Sequence, residues 1–178
     1  MDHSDGGSSV TFHSREVEEW SVRDGSQEEV LSYFTEVCGT PHKLLYLPKT
    51  WRRWATADRE PVAKWSQGRI TLLGDAAHPM MQYLAQGACM AIEDAVTLGR
   101  ALSTCPDDFA EAFRIYERAR IVRTARVVLS TREFGRLIHM SGVERDVRNS
   151  LWKGRDQDKF YDALEWLYGW KPETCLDH

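Results

Sequence analysis

Apolar and polar positions along the first third of the chain predict short elements. Residues 10–13 alternate and are rich in β-formers, which predicts a strand. Ser26 and Glu29 have the spacing of a capping box and predict the start of a helix that ends near Cys38 and Gly39. The apolar face of that helix comprises Val30, Leu31, Phe34 and Val37.

The middle of the chain predicts a strand, a sharp turn and a helix. Residues 44–54 mix aromatic, apolar and basic side chains around Pro48, which indicates an irregular connection and a strand over residues 51–55. Residues 68–75 place four β-compatible residues between Gly68 and Gly74, as in a buried strand that ends in a turn. A helix with a closely packed face of small residues should follow. That face comprises Ala88, Ala91, Ile92, Ala95, Leu98, Gly99 and Leu102.

The last third is predicted to be helical. A long helix should cover residues 107–139, and Ser141 and Gly142 should break it. Two shorter helices, over residues 143–152 and 155–168, should end at Gly154 and Gly169. The buried side of the long helix is expected to carry Phe109, Phe113, Tyr116 and Ile121.

Composition narrows the class of protein. The 178 residues carry a formal net charge of -4, which gives no general attraction to nucleic acid or anionic membranes. No apolar run approaches the ~18 residues that span a bilayer, so a cytoplasmic protein is expected. The four cysteines form no C-x-x-C pair, which argues against a metal site and suits free thiols in a reducing compartment. The seven tryptophans favour a Trp-rich core over an aromatic-lined cleft, and Cys89 is expected to be packed.

The candidate chemistry lies between Gly74 and Ala88. A carboxylate such as Asp75 at the end of a strand accepts hydrogen bonds from a polyol, and Gly74 beside it allows close approach to the main chain. The helix that begins near Gly87 directs unpaired N–H groups and the positive end of its dipole at whatever precedes it. A plain turn after a strand, followed by a helix start without a ligand, is the alternative interpretation.

The complete string resembles the second FAD motif of the class A flavoprotein monooxygenases. Residues 68–79 and 86–95 match that motif in order, and residues 58–61 and Trp65 also look like the family. The resemblance implies an α/β fold with few strands and a mostly helical C-terminal half, and FAD as cofactor. It implies that Asp75, beside Gly74, binds the ribitol hydroxyls, that Pro79 lies beside the flavin ring, and that backbone groups of Gln86, Gly87 and Ala88 face the pyrimidine edge. A helix N-terminus there would stabilise a negatively charged reduced ring by ~0.3–2 kcal/mol.

Residues 83–90 resemble the 3-hydroxybenzoate 6-hydroxylase branch of that family. Ala85 and Cys89 depart from the residues that many other members carry. The branch implies reduction of FAD by NADH and oxygen transfer from O2 to the position para to the phenol hydroxyl, which gives gentisate. Gln82 is the expected contact with the aromatic acid, with a polar loop residue bonded to nearby backbone as the alternative. The sequence identifies no catalytic residue and leaves NADH or NADPH open as the reductant.

Other functions remain as alternatives. Salicylate hydroxylase-like activity is the nearest, and a non-catalytic helical interaction module over residues 107–168 with a relic flavin motif is the second. A hydrolase is disfavoured because the chain has no G-x-S-x-G elbow. The arginines of the long helix indicate a solvated or subunit-facing surface, as in a homodimer, rather than a nucleic-acid site.

Three regions follow from the resemblance. Residues 1–57 correspond to part of a substrate-binding sheet, residues 58–103 to the ring-side FAD segment, and residues 104–178 to a helical region. The chain contains no G-x-G-x-x-G, the motif that binds the ADP half of FAD in the family, so we expect a piece of a longer enzyme. We also expect exposed apolar surface around the Gly74 segment, and association through it.

Overall fold

The computed structural model describes residues 23–54 and 56–177. The strand predicted over residues 10–13 lies outside the described residues. The chain divides into two compact units, residues 1–57 and residues 58–178.

Over its described residues, 23–54 and 56–57, the first unit contains one antiparallel strand pair and two short helices. Strand β1 (Arg23–Gly25) pairs with β2 (Trp51–Arg53), and helices α1 (Gln27–Tyr33) and α2 (Gly39–Leu44) lie between them in sequence. The Ser26 side chain accepts a hydrogen bond from the Glu29 amide at 3.0 Å, so the predicted cap is present. The Glu29 carboxylate itself binds Arg53 at 3.1 Å.

Helix α1 is shorter than the sequence predicts. It ends at Tyr33 because Phe34 leaves the helical region and donates its amide to the Leu31 carbonyl. Gly39 does adopt a positive φ of 71°, but it begins α2 instead of ending α1. The predicted apolar face is present but only half-buried: Val30, Leu31, Phe34 and Val37 are all partly covered, and α1 buries no residue completely.

In the second unit, a small hairpin whose two strands have two residues each takes the place of the predicted buried strand. Strand β3 (Ser66–Gln67) pairs antiparallel with β4 (Ile70–Thr71). Ile70 is 72% exposed, so the prediction of burial is wrong. Without further strands beside it among the described residues, an apolar β-sequence remains solvent-exposed. The predicted sharp turn is present as a 3₁₀ turn, Gly74–Ala76, called here the Gly-Asp turn.

Helix α3 (Gly87–Thr104) forms where predicted, but it buries a different face. Ile92 is 65% exposed, and Ala88, Ala95 and Gly99 are exposed as well. For these four residues the prediction is wrong, because charged side chains of α3 find partners on the next helix and turn a neighbouring side inward. The rest of the predicted face does pack: Leu98 and Leu102 lie against the core, and Ala91 lies against the Gly-Asp turn. The buried residues are Met90, Glu93, Asp94, Thr97 and Ala101.

Helix α4 (Phe109–Ile138) is the 30-residue helix that the periodicity predicts. Asp108 caps it by accepting a hydrogen bond from the Glu111 amide at 3.0 Å. Phe113 and Tyr116 are buried and Ile121 packs against the core as expected, whereas Phe109 is 41% exposed. The buried residues of α4 also include Arg120 and two threonines. The burial of Arg120 differs from the expectation that the arginines of this helix form a solvated or subunit-facing surface.

The chain ends in shorter helices. Helix α5 is Gly142–Trp152 and begins at the predicted break. The last predicted helix is divided into α6 (Gln157–Asp162) and α7 (Glu165–Tyr168), and a 3₁₀ turn, Pro172–Thr174, follows.

Two apolar clusters form the core of this unit. The first contains Trp65, Ala77, Ala101, Ala112 and Tyr116. The second contains Met90, Val127 and Leu167. The prediction of a Trp-rich core is wrong for the described residues, where Trp65 alone among the tryptophans is buried. Cys89 is exposed because it lies on the outer side of α3, so its predicted packing is also wrong. The expected exposed apolar surface around the Gly74 segment is present at Ile70 and Ile92.

Candidate functional site

The Gly-Asp turn is a compact loop at the end of the hairpin segment. Gly74 has a φ of 60°, a conformation that other residues rarely adopt. Its carbonyl accepts hydrogen bonds from the amides of Ala77 at 2.8 Å and His78 at 2.9 Å. A Cβ on Gly74 would lie 3.3 Å from the Ala91 Cβ, so α3 packs directly on the main chain of the turn. Glycine is therefore favoured here by the backbone conformation, and a Cβ would in addition require Ala91 to shift by a few tenths of an ångström.

The turn brings the Asp75 carboxylate to the start of α3. A Cβ built on Gly87 would lie 3.9 Å from Asp75 Oδ1. The amides of the first helical residues have no partner within the helix, and the Gln86 side chain does not cap them. Asp75 and Ala88 are exposed, while Gln86 is buried. An exposed acceptor and several free donors thus face the same region, a combination that suits a polyol next to a polar ring edge.

A buried carboxylate on α3 supports the turn from behind. Asp94 Oδ2 accepts a hydrogen bond from the Gly74 amide at 3.0 Å and lies 2.6 Å from His78 Nε2. Because an ionised carboxylate only accepts, we assign the proton to Nε2 of His78. His78 Nδ1 is buried and finds no hydrogen-bond partner among the described residues. The first residue of the turn and His78, two residues after its end, are therefore bound to one side chain.

Arg120 of α4 completes this buried group. Its Nε donates to Asp94 Oδ1 at 2.6 Å, its Nη1 to Glu93 Oε2 at 2.6 Å, and its Nη2 to the Met90 carbonyl at 3.2 Å. Burial opposes ionisation of Asp94, but hydrogen bonds from His78 and Gly74 and the charge of Arg120 outweigh it. The pKa of Asp94 is therefore held below its usual value.

The same group reaches the end of the chain through Arg123. Arg123 binds both carboxylate oxygens of Glu93, at 2.6 and 2.7 Å. It also donates to the carbonyls of Trp166 at 2.9 Å and Leu167 at 3.0 Å. Helices α3, α4 and α7 are thus joined by one set of charge-assisted hydrogen bonds.

The segment before the hairpin contacts the turn from its other side. Arg59 Nη2 donates to the carbonyls of Ala76 at 2.9 Å and Ala77 at 2.8 Å. Arg132 of α4 binds Asp58 at 2.5 Å and Glu60 at 2.6 Å, which fixes the chain on either side of Arg59. The family-like residues 58–61 therefore act on the backbone of the turn.

Trp65 and Tyr116 pack under the turn. The Trp65 ring lies 5.6 Å from both the His78 and Tyr116 rings, and the Tyr116 hydroxyl donates to the Leu72 carbonyl at 3.2 Å. Burial and the negative charge of Asp94 raise the pKa of Tyr116, so the phenol stays a neutral donor.

Pro79 and Gln82 lie in the segment between the Gly-Asp turn and α3. Pro79 is half-buried. Gln82 is exposed and begins a second 3₁₀ turn, Gln82–Leu84, called here the Gln82 turn. It ends at Ala85, which has a φ of 52°. The structure thus presents Gln82 to solvent, next to buried residues Met81 and Gln86.

The sequence reading missed Glu93, Asp94, Arg120 and Arg123. Arginine is seldom fully buried, so a series of arginines on one helix indicated a solvated face. Their partners lie 26 to 30 residues away, beyond any local pattern. The adjacent carboxylates Glu93 and Asp94 beside the apolar residues of α3 were the available signal.

Within the described ranges, no group of three or more His, Cys, Asp or Glu side chains could hold a metal ion. None of the described helices is long and apolar enough to cross a membrane.

Residues 9–129 match the family model described as "FAD binding domain". The chain is 65% identical over 168 residues to 3-hydroxybenzoate 6-hydroxylase of Klebsiella oxytoca, covering 94% of this chain and 42% of that protein. It is 64% identical to 3-hydroxybenzoate 6-hydroxylase of Polaromonas naphthalenivorans (strain CJ2), again covering 94% of this chain and 42% of that protein. The chain thus spans less than half the length of these relatives.

Solved structures show the same fold. A salicylate hydroxylase substrate complex matches with a TM-score of 0.76 at 26% identity, covering 96% of this chain and 41% of that one. Klebsiella pneumoniae HpxO complexed with FAD and uric acid matches with a TM-score of 0.68 at 27% identity, covering 84% of this chain and 37% of that one. These matches confirm the resemblance that residues 68–79 and 86–95 carried and the fold class that it implied. The chain belongs to the FAD binding domain family and has the fold of a flavoprotein monooxygenase.

Proposed function

We propose that this chain holds the ribityl chain and ring of FAD and forms part of an aromatic hydroxylase. The main support for this proposal is that the exposed Asp75 carboxylate lies beside the uncapped start of α3 at Gly87. Asp75, beside Gly74, accepts hydrogen bonds from ribityl hydroxyls. Pro79 lies against the ring, and backbone groups of Gln86, Gly87 and Ala88 face its pyrimidine edge.

The residues of this chain bind and orient the cofactor. The amides at the start of α3 stabilise negative charge on the ring by ~0.3–2 kcal/mol. Asp94, Arg120 and Arg59 hold the Gly-Asp turn in its observed shape, so little rearrangement is needed on binding. When bound, FAD would supply the chemistry by accepting hydride from a nicotinamide and passing oxygen from O2 to the substrate.

We propose 3-hydroxybenzoate as the aromatic acid, with NADH as reductant and gentisate as product. The support is the name of the two bacterial relatives, which are 65% and 64% identical to this chain. Gln82 is the proposed contact with the substrate, because it is exposed on a turn that directly precedes the cofactor-facing residues. Salicylate is the alternative substrate, which the fold of the salicylate hydroxylase complex supports.

The three proposed regions keep separate roles. Residues 1–57 contribute to the substrate-binding sheet, residues 58–103 hold the ring side of FAD, and residues 104–178 support that segment and the subunit contact of a homodimer. The chain spans 42% of these relatives, so turnover belongs to the whole protein and cofactor binding is the activity to test first.

The test is a titration of the purified chain with FAD, followed by flavin fluorescence and the visible absorption band. Asp75→Asn removes the charge but keeps the shape of the side chain. Asp107→Asn is the matched control, since Asp107 is an exposed aspartate beyond the far end of α3. Saturable binding that Asp75→Asn weakens at least tenfold and Asp107→Asn leaves unchanged supports the proposal.

Absence of binding at ~100 µM FAD, which corresponds to less than ~5 kcal/mol, would overturn cofactor binding by this chain. Equal binding by both variants would show that Asp75 is not a ligand. With FAD bound, 3-hydroxybenzoate and salicylate are compared as perturbants of the flavin spectrum. If neither acid changes the flavin spectrum, the proposed substrates are overturned. Absence of FAD binding, in contrast, would favour the non-catalytic helical module, in which residues 107–168 are the functional part and the flavin motif is a relic.

A further inference from the structure

Tyr83 of the Gln82 turn packs directly against α4 at Gly135. A Cβ on Gly135 would overlap the Tyr83 ring at Cδ2 and Cε2 and lie 3.0 Å from its Cζ. These contacts are far inside van der Waals separation, so the ring occupies the volume that any larger residue would need. Gly135 is fully surrounded, as one of the buried residues of α4.

His139, four residues after Gly135, contacts the same ring. The Tyr83 and His139 rings are 5.5 Å apart at an interplanar angle of 72°, an edge-to-face contact. His139 Nδ1 lies 2.7 Å from the Gly135 carbonyl and donates to it, because the carbonyl only accepts. The two residues at the end of α4 thus form a slot for the tyrosine.

The slot fixes the position of Gln82. Gln82 and Tyr83 are adjacent in one 3₁₀ turn, which the Ala85 amide closes by donating to the Gln82 carbonyl at 2.9 Å. Met81, before the turn, is 3% exposed, so the turn is anchored by buried Met81 on one side and by the Tyr83 ring against Gly135 on the other. A shift of the tyrosine ring therefore moves the Gln82 backbone.

We propose that Gly135 is a specificity-determining positioning residue. By admitting Tyr83 to the helix backbone, it sets where Gln82 meets the phenolic acid and hence how the acid is oriented. This inference rests on the proposed role of Gln82 as the substrate contact. The orientation of the bound substrate then depends in part on the end of α4, although this helix need not touch the substrate itself.

The test compares wild type with four variants. Gly135→Ala introduces the Cβ that meets Tyr83. Gly99→Ala is the matched control, because Gly99 is also inside a helix and a Cβ there meets nothing within 4 Å. Tyr83→Leu removes the ring, and the double variant combines Tyr83→Leu with Gly135→Ala.

The first readout is hydrogen exchange of the Ala85 amide, which needs no ligand. We expect at least tenfold faster exchange in Gly135→Ala than in wild type or Gly99→Ala. We expect Gly135→Ala to have little further effect when it is added to the Tyr83→Leu background. Unchanged Ala85 exchange in Gly135→Ala would overturn the inference whether or not the chain binds FAD.

The second readout is binding to the FAD-loaded chain. Gly135→Ala should raise the Kd for 3-hydroxybenzoate at least tenfold and change the Kd for FAD less than twofold. Equal weakening of both ligands would indicate a general structural effect and overturn the specificity role. Failure of the wild-type chain to bind FAD would instead count against the proposed function, and the exchange comparison would still decide the role of Gly135.

Discussion

Asp94 of α3 and Arg120 of α4 form a buried ion pair directly beneath the Gly-Asp turn. Their side chains are 0% and 1% exposed, and Asp94 Oδ1 lies 2.6 Å from Arg120 Nε. The second carboxylate oxygen binds Gly74 and His78, so the pair connects the long helix to the start of the turn and to the residue two positions after its end. The stability of the helical core and the shape of the candidate flavin site therefore depend on the same side chain.

Replacement of Asp94 by Asn should destabilise the protein strongly. The change leaves the Arg120 charge with one carboxylate instead of two, and loss of one partner from a buried ion pair typically costs ~3–5 kcal/mol. Urea unfolding followed by far-UV circular dichroism would measure the effect. The exposed Asp107→Asn variant is the control and should remain within ~0.5 kcal/mol of wild type. A similar midpoint for all three proteins would contradict the structural role of Asp94.

The stabilisation by Asp94 should disappear in acid. Its pKa is lower in the folded chain than the ordinary value of about 3.9 in the unfolded chain, so the folded state binds fewer protons. The contribution is therefore complete above pH ~4 and is lost as the pH falls through the lower, folded pKa. The free-energy difference between wild type and Asp94→Asn should be constant from pH 7 to 5 and shrink below pH ~4. Urea titrations at each pH would reveal it, and a difference that grows in acid would show that the sign is wrong.

Arg123→Met should release α7 from α4. Arg123 donates to the Trp166 and Leu167 carbonyls, and hydrogen bonds from charged groups contribute ~1.5–3 kcal/mol each. Loss of these hydrogen bonds should raise the hydrogen-exchange rates of the backbone amides of residues 164–168 about tenfold or more. Arg114→Met, an exposed arginine on the same helix, is the control and should leave exchange in α7 unchanged. Equal protection in both variants would mean that α7 is held by the packing of Leu167 alone.

The sequence predicted the elements of the second unit better than their buried faces. Helices α3 and α4 lie where the periodicity and the turn residues place them, because 18 and 30 residues average out local exceptions. The inward face of α3 was wrong because Glu93 and Asp94 are buried by pairing with arginines of another helix. Burial of charge depends on a partner that no local window contains.

For the candidate site too, the sequence predicted the local elements but not the side chains that support them. The order of the Gly-Asp turn and the helix start was predictable, because glycine, aspartate and the helix N-terminus have local conformational requirements. Their support by Arg59, Asp94 and Arg120 was not, since each of these contacts joins residues at least 16 positions apart. The assignment of individual residues to flavin and substrate stays a prediction that binding experiments must test.

Gly74→Ala should separate the two reasons for glycine in the Gly-Asp turn. Gly74 and Gly68 have φ values of 60° and 61°, so alanine at either position costs about 1–2 kcal/mol for the left-handed conformation. Only at Gly74 does the new Cβ meet a neighbour, the Ala91 Cβ at 3.3 Å, whereas at Gly68 nothing lies within 4 Å.

Urea unfolding should therefore show a larger loss for Gly74→Ala than for Gly68→Ala, and the excess should vanish when both are measured in an Ala91→Gly background. The FAD titration should follow the same order, because displacement of the turn moves Asp75 away from Gly87. Equal losses for the two alanine variants would mean that α3 can move aside without effect. The close contact between the turn and α3 would then contribute nothing beyond the backbone conformation of Gly74.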